Sequence, residues 1–312
     1  MKAVRIHDYG DRSVLRCENA PEPTPQPADL RIRVHTAAVN PADWQFRRGD
    51  FRQFVPLRFP AILGWDVAGT VESVDPEARG FRVGDPVYAM CDISRDGAYA
   101  ELVAVHYAHV APAPRAIPLE HAAAVPLAAL TAWQSLFDLG QLQLGQSVLV
   151  TAAAGSVGQF AVQLARNAGA RVVAVASPAN HDFLRSLGAH ECVDYARDGW
   201  ADALRGFDLV LEGAGGHTRS ATWSTLRAGG LLVAIAMPPV SDADGAPHGC
   251  RGATAQVVPN GERLRRITEL LDAGKLKVTV DSVFPLEDCA AAHERSESRH
   301  ARGKVLLAVA PR

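Results

Sequence analysis

No run of this 312-residue sequence is apolar for long enough to cross a membrane. The longest, Ala122 to Trp133, is broken by Pro126 and falls short of the roughly 20 residues a spanning helix needs. The opening residues, Met1-Lys2-Ala3-Val4-Arg5-Ile6-His7-Asp8, lack the apolar core of a secretory signal. A soluble, cytoplasmic chain with no membrane partner is expected. No Lys/Arg cluster appears and the net charge is −2, so no basic face is available for nucleic acid. Cysteines are few and odd in number: five, at 17, 91, 192, 250 and 289, none in a CxxC pair. That excludes a disulfide framework and a zinc knuckle, and leaves reduced, unrelated thiols. No GxSxG elbow is present, which excludes a serine hydrolase of that type. His106, His109, His121 and His248 show no ligand spacing.

What is present suits buried cores. Hydrophobic residues make up 48% of the chain and charged ones 21%, enough for two ordinary domains. In the first third, β-type runs (Leu30 to His35, Val67 to Val74, Pro86 to Met90, Tyr99 to Val105) are separated by turn residues. They read as a mostly antiparallel β domain or barrel. Near residue 119 the rhythm changes to alternating strands and helices: Ser147 to Ala152, helix Val157 to Ala168, Val172 to Ala176, helix His181 to Leu187, Phe207 to Leu211, Leu231 to Ala236. Strands this apolar on both faces imply a parallel sheet covered on both sides. A helix from about Glu262 to Ala273 stops at Gly274, and a β-type tail is expected to return to the first domain. The expected division is 1–119 with 261–312, and 120–260.

Between strand and helix lies Thr151-Ala152-Ala153-Ala154-Gly155-Ser156-Val157-Gly158. A dinucleotide pyrophosphate needs a tight turn, a close backbone approach and free N–H groups at a helix N-terminus. Gly155 and Gly158 meet the last two demands; Ala152 stands where the usual first glycine would be. At the end of the next strand, an acidic residue would accept from a ribose 2′-OH and repel a 2′-phosphate. Here the strand ends at Ser177, with Asn180 after it, both able to donate. That favours NADPH as cofactor.

With Asn40-Pro41-Ala42-Asp43, Gly64-Trp65-Asp66-Val67-Ala68-Gly69, Gly97-Ala98-Tyr99-Ala100-Glu101, Leu130-Thr131-Ala132-Trp133 and Arg302-Gly303-Lys304-Val305-Leu306, the ordered motifs resemble the medium-chain dehydrogenase/reductase superfamily. The likeness is to its zinc-lacking, quinone oxidoreductase-like branch. It implies an α/β fold: a Rossmann-type doubly wound parallel sheet plus a GroES-like, mostly antiparallel β domain. It also implies a small-molecule substrate, an enone or quinone reduced by hydride from NADPH, and a homodimer. In zinc-bearing members a cysteine takes the place of Asn40 and a Gly-His-Glu motif sits near residue 64, so no metal is expected here.

By resemblance, Asn40 and Thr131 lie near the nicotinamide and orient or polarise the substrate. Asn40 before Pro41 also reads as a helix N-cap, with Asp43 as its support. Tyr195 is implied near the 2′-phosphate, Gly213 and Ala214 near the nicotinamide ribose, and Ile235 and Ala236 near its carboxamide. Arg302 and Lys304 are implied to reach the cofactor, with an ordinary surface role as the alternative. Trp44 and Trp65 wall the substrate pocket or pack a core. Relatives carry tyrosines where this chain has Gln45 and Phe51, which leaves proton delivery to water. The loop Met237 to Val258 is expected to frame the substrate mouth. Two other activities fit the same motifs: reduction of enoyl thioesters, and cofactor binding without turnover.

Overall fold

A computed structural model describes residues 1–309. The chain forms two compact units, the first from 1–127, 258–274 and 278 onward, the second from 128–257 and 275–277.

The first unit opens with strands β1 (Lys2–Ile6), β2 (Arg16–Asn19) and β3 (Asp29–Val39), then helix α1 (Pro41–Arg48). Strands β4 (Ala61–Ile62), β5 (Asp66–Val74), β6 (Pro86–Met90), β7 (Leu102–His106) and β8 (Val110–Pro112) follow, and helix α2 (Leu119–Ala122) closes this stretch. Helix α3 (Pro126–Trp133) leads into the second unit. The unit boundary falls after Leu127, later than the change of rhythm near 119, because α2 packs on β3 and β5 of the first unit.

In the second unit come β9 (Ser147–Val150), α4 (Ser156–Asn167), β10 (Arg171–Val175), α5 (His181–Ser186), β11 (Glu191–Val193) and β12 (Phe207–Glu212). They are followed by α6 (Gly216–Thr222), β13 (Leu226–Ala234), α7 (Asp242–Gly245) and β14 (Arg251–Thr254). The chain then returns to the first unit with α8 (Gly261–Asp272), β15 (Val280–Pro285), α9 (Cys289–Glu297) and β16 (Lys304–Ala308).

Alternating apolar residues build the first unit's main sheet, ordered β15-β16-β3-β5-β6-β8 with β7 also on β3. All pairs are antiparallel except β15 with β16. The tail does rejoin this unit: Val305 to Ala308 pair with Val39 to Thr36. This register brings Lys304, at the start of β16, beside Asn40, just past the end of β3. Ala38 of β3 pairs with Asp66, the first residue of β5. Three strand ends therefore meet at Asn40, Asp66 and Lys304. The core behind them holds Ile32, Val34, Phe46, Trp65, Val67, Tyr99 and Leu307.

The second unit is a parallel sheet ordered β11-β10-β9-β12-β13-β14, the 3-2-1-4-5-6 order of a doubly wound dinucleotide fold. Its central strands β9, β10 and β12 are buried almost throughout, as strands covered on both faces must be. Helix α4 buries Gln159 and Gln163 along with Phe160, Ala161 and Leu164. The Gln163 amide accounts for its own burial: it donates to Lys277 O at 3.1 Å and accepts from Lys277 N at 2.7 Å. Those bonds also hold 275–277 in this unit.

Candidate active site

The turn after β9 is shaped by backbone. Ala152 is left-handed at φ 49°, the conformation a glycine would adopt without strain. So the imperfect position of the motif keeps the glycine geometry with an alanine. At Gly158 a Cβ would lie 2.5 Å from Ala152 O and 2.6 Å from Ala153 Cα, so only glycine lets α4 come this close to the turn. Gly155, the N-cap of α4, is extended at φ −73° and has no side chain with which to cap the helix. The first N–H groups of a helix lack acceptors within it, and an anionic group is what they suit. These residues fit a dinucleotide pyrophosphate.

Around this turn, Ser177 lies two residues beyond β10 as a neutral hydroxyl, and Asn180 Nδ2 donates to Ser177 Oγ at 3.1 Å. The ring of His181 donates from Nε2 to Ala176 O at 3.0 Å, which fixes the same strand end. Tyr195, after β11, is about half exposed. Gly213 N donates to Thr151 Oγ1 at 2.9 Å and Ala214 N to Glu212 Oε1 at 2.8 Å. Ile235 N donates to Glu212 O at 2.9 Å, and Ala236 O accepts from Arg219. Thr131 is buried on α3 in this unit.

In the first unit the candidates are charged side chains. Asn40 Oδ1 accepts from the Lys304 ammonium, and Asn40 Nδ2 donates to Asp66 Oδ2 at 2.9 Å. Lys304 Nζ is also 2.9 Å from Asp66 Oδ2, and Asp66 Oδ1 accepts from Leu127 N at 2.6 Å. All three side chains are at most 1% exposed. Lys304, expected to reach the cofactor, instead neutralises Asp66 and holds the Asn40 amide. A burial this deep for two opposite charges requires that pairing. Arg302, by contrast, is exposed, and its backbone N donates to Asp281 Oδ1 at 2.9 Å.

Asn40 is also the N-cap of α1, with Pro41 next, and its backbone N donates to Asp43 Oδ2 at 2.6 Å. Asp43 has the supporting part expected of it. It accepts from Tyr99 OH at 2.8 Å, Tyr99 OH lies 3.3 Å from His293 Nε2, and Arg47 donates to His293 Nδ1 at 3.0 Å. Because Arg47 only donates, His293 carries its proton on Nε2, and the chain runs one way from Arg47 to Asp43. Burial pushes the Asp43 carboxyl up to about 7, against the lowering effect of its hydrogen bonds to Asn40 and Tyr99. Burial, then the Arg47 charge, push His293 down to about 3. Burial also raises the Tyr99 hydroxyl well above its ordinary value.

Trp44 and Trp65 resolve toward packing. Trp65 is 1% exposed and meets Phe46 edge-on at 4.8 Å, within the core. Trp44 donates from Nε1 to Ser296 Oγ at 3.3 Å, and the Arg48 guanidinium covers its ring at 4.6 Å. Asp66 was legible as the acid of the Gly64-Trp65-Asp66 motif but had no role until its partners appeared. Glu212 and Arg219 are a second buried ion pair, 2.6 Å apart. Nothing in the sequence marks Arg219, seven positions along from its partner.

Residues 26–115 match the alcohol dehydrogenase GroES-like domain, and residues 187–307 match the zinc-binding dehydrogenase family. The chloroplast envelope quinone oxidoreductase homolog of Arabidopsis thaliana is 32% identical over 98% of both chains. The chain belongs to the medium-chain dehydrogenase/reductase superfamily, in its quinone oxidoreductase-like branch. Another member of the superfamily, the 2-methylene-furan-3-one reductase of Solanum lycopersicum, is 32% identical over 98% of this chain and 79% of its own. Among solved members, the quinone oxidoreductase from Coxiella burnetii covers 99% of each chain with a TM-score of 0.92 at 29% identity. A mycobacterial protein complexed with NADPH covers 99% of this chain and 100% of its own, with a TM-score of 0.89 at 29% identity. The fold is thus the superfamily's pairing of a GroES-like domain with a Rossmann-like one. Among the described residues, no helix is long and apolar enough to cross a membrane.

The zinc of the matched family's name finds no fitting donors here. The Asn40 and Asp66 oxygens that could face a cation are already on the Lys304 ammonium. Among the described residues, no group of three or more His, Cys, Asp or Glu side chains could hold a metal.

Proposed function

We propose that this oxidoreductase uses NADPH to reduce a small enone or quinone, and does so without a metal. One observation carries the reading: a lysine ammonium occupies the oxygens that would otherwise serve a metal. With no Lewis acid, the substrate must bring its own electron sink, and a carbonyl conjugated to an alkene is such a sink. When bound, the dinucleotide would supply a hydride equivalent. Hydride on the β-carbon of an enone leaves an enolate, and a proton from water at the α-carbon completes the saturated ketone; a quinone taking the same hydride and proton ends as the hydroquinone.

The chain's own work is placement. Gly155, Ser156, Val157 and Gly158 hold the pyrophosphate at the α4 N-terminus, with Ala154 in the turn before them. Ser177 and Asn180 present no carboxylate to a 2′-phosphate, and Tyr195 lies on the neighbouring strand's exit. Gly213, Ala214, Ile235 and Ala236 flank the nicotinamide half. Asn40 and Thr131 orient the substrate, Asn40 through an amide that Lys304 and Asp66 hold in one rotamer. Reacting carbons held about 3–3.5 Å apart gain most of the available rate by orientation alone.

The test is oxidation of NADPH and NADH over a panel of enones, quinones and simple saturated aldehydes. Turnover of the conjugated substrates with preference for NADPH is expected. Turnover confined to saturated aldehydes or alcohols, or a preference for NADH, would overturn it.

A further inference from the structure

Arg219 is a buried cation in the second unit for which the hydride step has no use. It stands on α6, 8% exposed. All three guanidinium nitrogens are engaged: Nε donates to Glu212 Oε2 at 2.6 Å, Nη1 to Pro238 O, and Nη2 to Ala236 O. Glu212 is fully buried, and its other oxygen accepts from Ala214 N at 2.8 Å, Gly215 N at 2.6 Å and Thr151 Oγ1 at 3.3 Å. The same Thr151 Oγ1 accepts from Gly213 N at 2.9 Å. One carboxylate and one guanidinium thus tie the exits of β9, β12 and β13 together.

Stability alone is a weak reason for this pair, since desolvation offsets much of its attraction and packed apolar residues brace a sheet as well. What a planar guanidinium adds is fixed geometry toward several acceptors at once. Here that geometry is applied directly to 236–238 and, through Glu212, to 214–215, at the carboxyl edge of the sheet. An open α/β sheet binds its ligand along that edge. The pyrophosphate turn at 152–158 and the β10 exit at Ser177 make none of these bonds to Arg219.

We propose that Arg219, held by Glu212, is a positioning residue for the nicotinamide half of the cofactor, and that the adenosine half does not depend on it. The inference rests on the reading that this edge binds NADPH. Arg219 sets the two backbone stretches that receive the ring and its carboxamide, without touching the reacting atoms itself.

The test compares two ligands on the full chain: NADPH, by fluorescence titration, and adenosine 2′,5′-bisphosphate, which lacks the nicotinamide half. In Arg219→Met, NADPH affinity is expected to fall by about tenfold or more, the scale of a lost charge-assisted brace. Affinity for the bisphosphate is expected to stay unchanged. Equal weakening of both ligands, or of neither, would overturn the proposal. Should Arg219→Met fail to fold, Arg219→Lys keeps a charge beside Glu212 but cannot reach both carbonyls, and the same split is expected. A wild-type chain that binds neither ligand would remove the cofactor reading itself, a failure distinct from an even response to the substitution.

Discussion

In the first unit the central candidates are an amide and a charged pair withdrawn from water, while in the second they are mostly backbone shaped by small residues. Asn40, Asp66 and Lys304 come from three strand ends and are separated by up to 264 positions in the chain. Ala152, Gly155 and Gly158 lie within one turn. The contrast teaches that one protein can prepare a site by burying fixed charge or by removing side chains, and that the two have different points of failure. Fixed charge fails when one partner is lost, and bare backbone fails when a methyl group is added.

The largest expected effect is in the charge cluster. Lys304→Met leaves Asp66 buried without its cation, and a loss of about 3–5 kcal/mol in unfolding free energy is expected by urea titration. Lys304→Met with Asp66→Asn should recover a large part of that loss, because no bare charge remains. If the double variant is as unstable as the single one, the pairing is not what the burial of these groups depends on.

Next comes the turn. In Gly158→Ala the new methyl meets backbone at 2.5–2.6 Å, which no side-chain rotation can relieve. Overpacking of this kind costs about 2 kcal/mol, and NADPH affinity should fall by at least about thirtyfold, the equivalent factor. A variant that binds NADPH normally would separate the turn from the cofactor.

A smaller effect is hidden by compensation. Asp43, raised from 3.8 to about 7, contributes stability that is present at low pH and lost as pH rises toward 7. His293, lowered from 6.5 to about 3, contributes stability that is present above 6.5 and lost as pH falls toward 3. Between 3.8 and 6.5 the two slopes oppose, so these groups together leave the wild type nearly flat. Asp43→Asn should expose the His293 slope, with stability climbing by up to about 1.4 kcal/mol per pH unit across that window. A flat profile in the variant would show that His293 titrates alike in the folded and unfolded chains.

The smallest effect is a gain. Ala152→Gly removes the left-handed strain but adds unfolded-chain entropy, for a net stabilisation of up to about 1 kcal/mol read as a rise in Tm.

The same contrast explains what the sequence could say. The second unit's turn was legible because its geometry is local: a strand, a glycine turn and a helix stand in order, and Ser177 follows the next strand. The strands of both units were legible by period; the return of the tail was expected, but only the pairing of β16 with β3 shows it. The first unit's cluster was not legible, because register alone brings Lys304 to Asn40 and Asp66, and register is set by pairing across the whole sheet. Lys304 therefore read as a cofactor contact or an ordinary surface residue, and Trp65 as a pocket wall or core, when burial makes Lys304 a counterion and Trp65 core. Arg219 and Glu212 were invisible for a related reason: four of the groups they join are backbone carbonyl or amide groups that any sequence possesses.

Under the proposed function, the Lys304 cluster stands where a metal would otherwise be needed. The most direct test of this is NADPH oxidation with a conjugated enone, measured on protein dialysed against a strong chelator and assayed for bound zinc. An unchanged rate with no zinc retained is predicted; a rate that disappears on chelation and returns with one equivalent of zinc would contradict it.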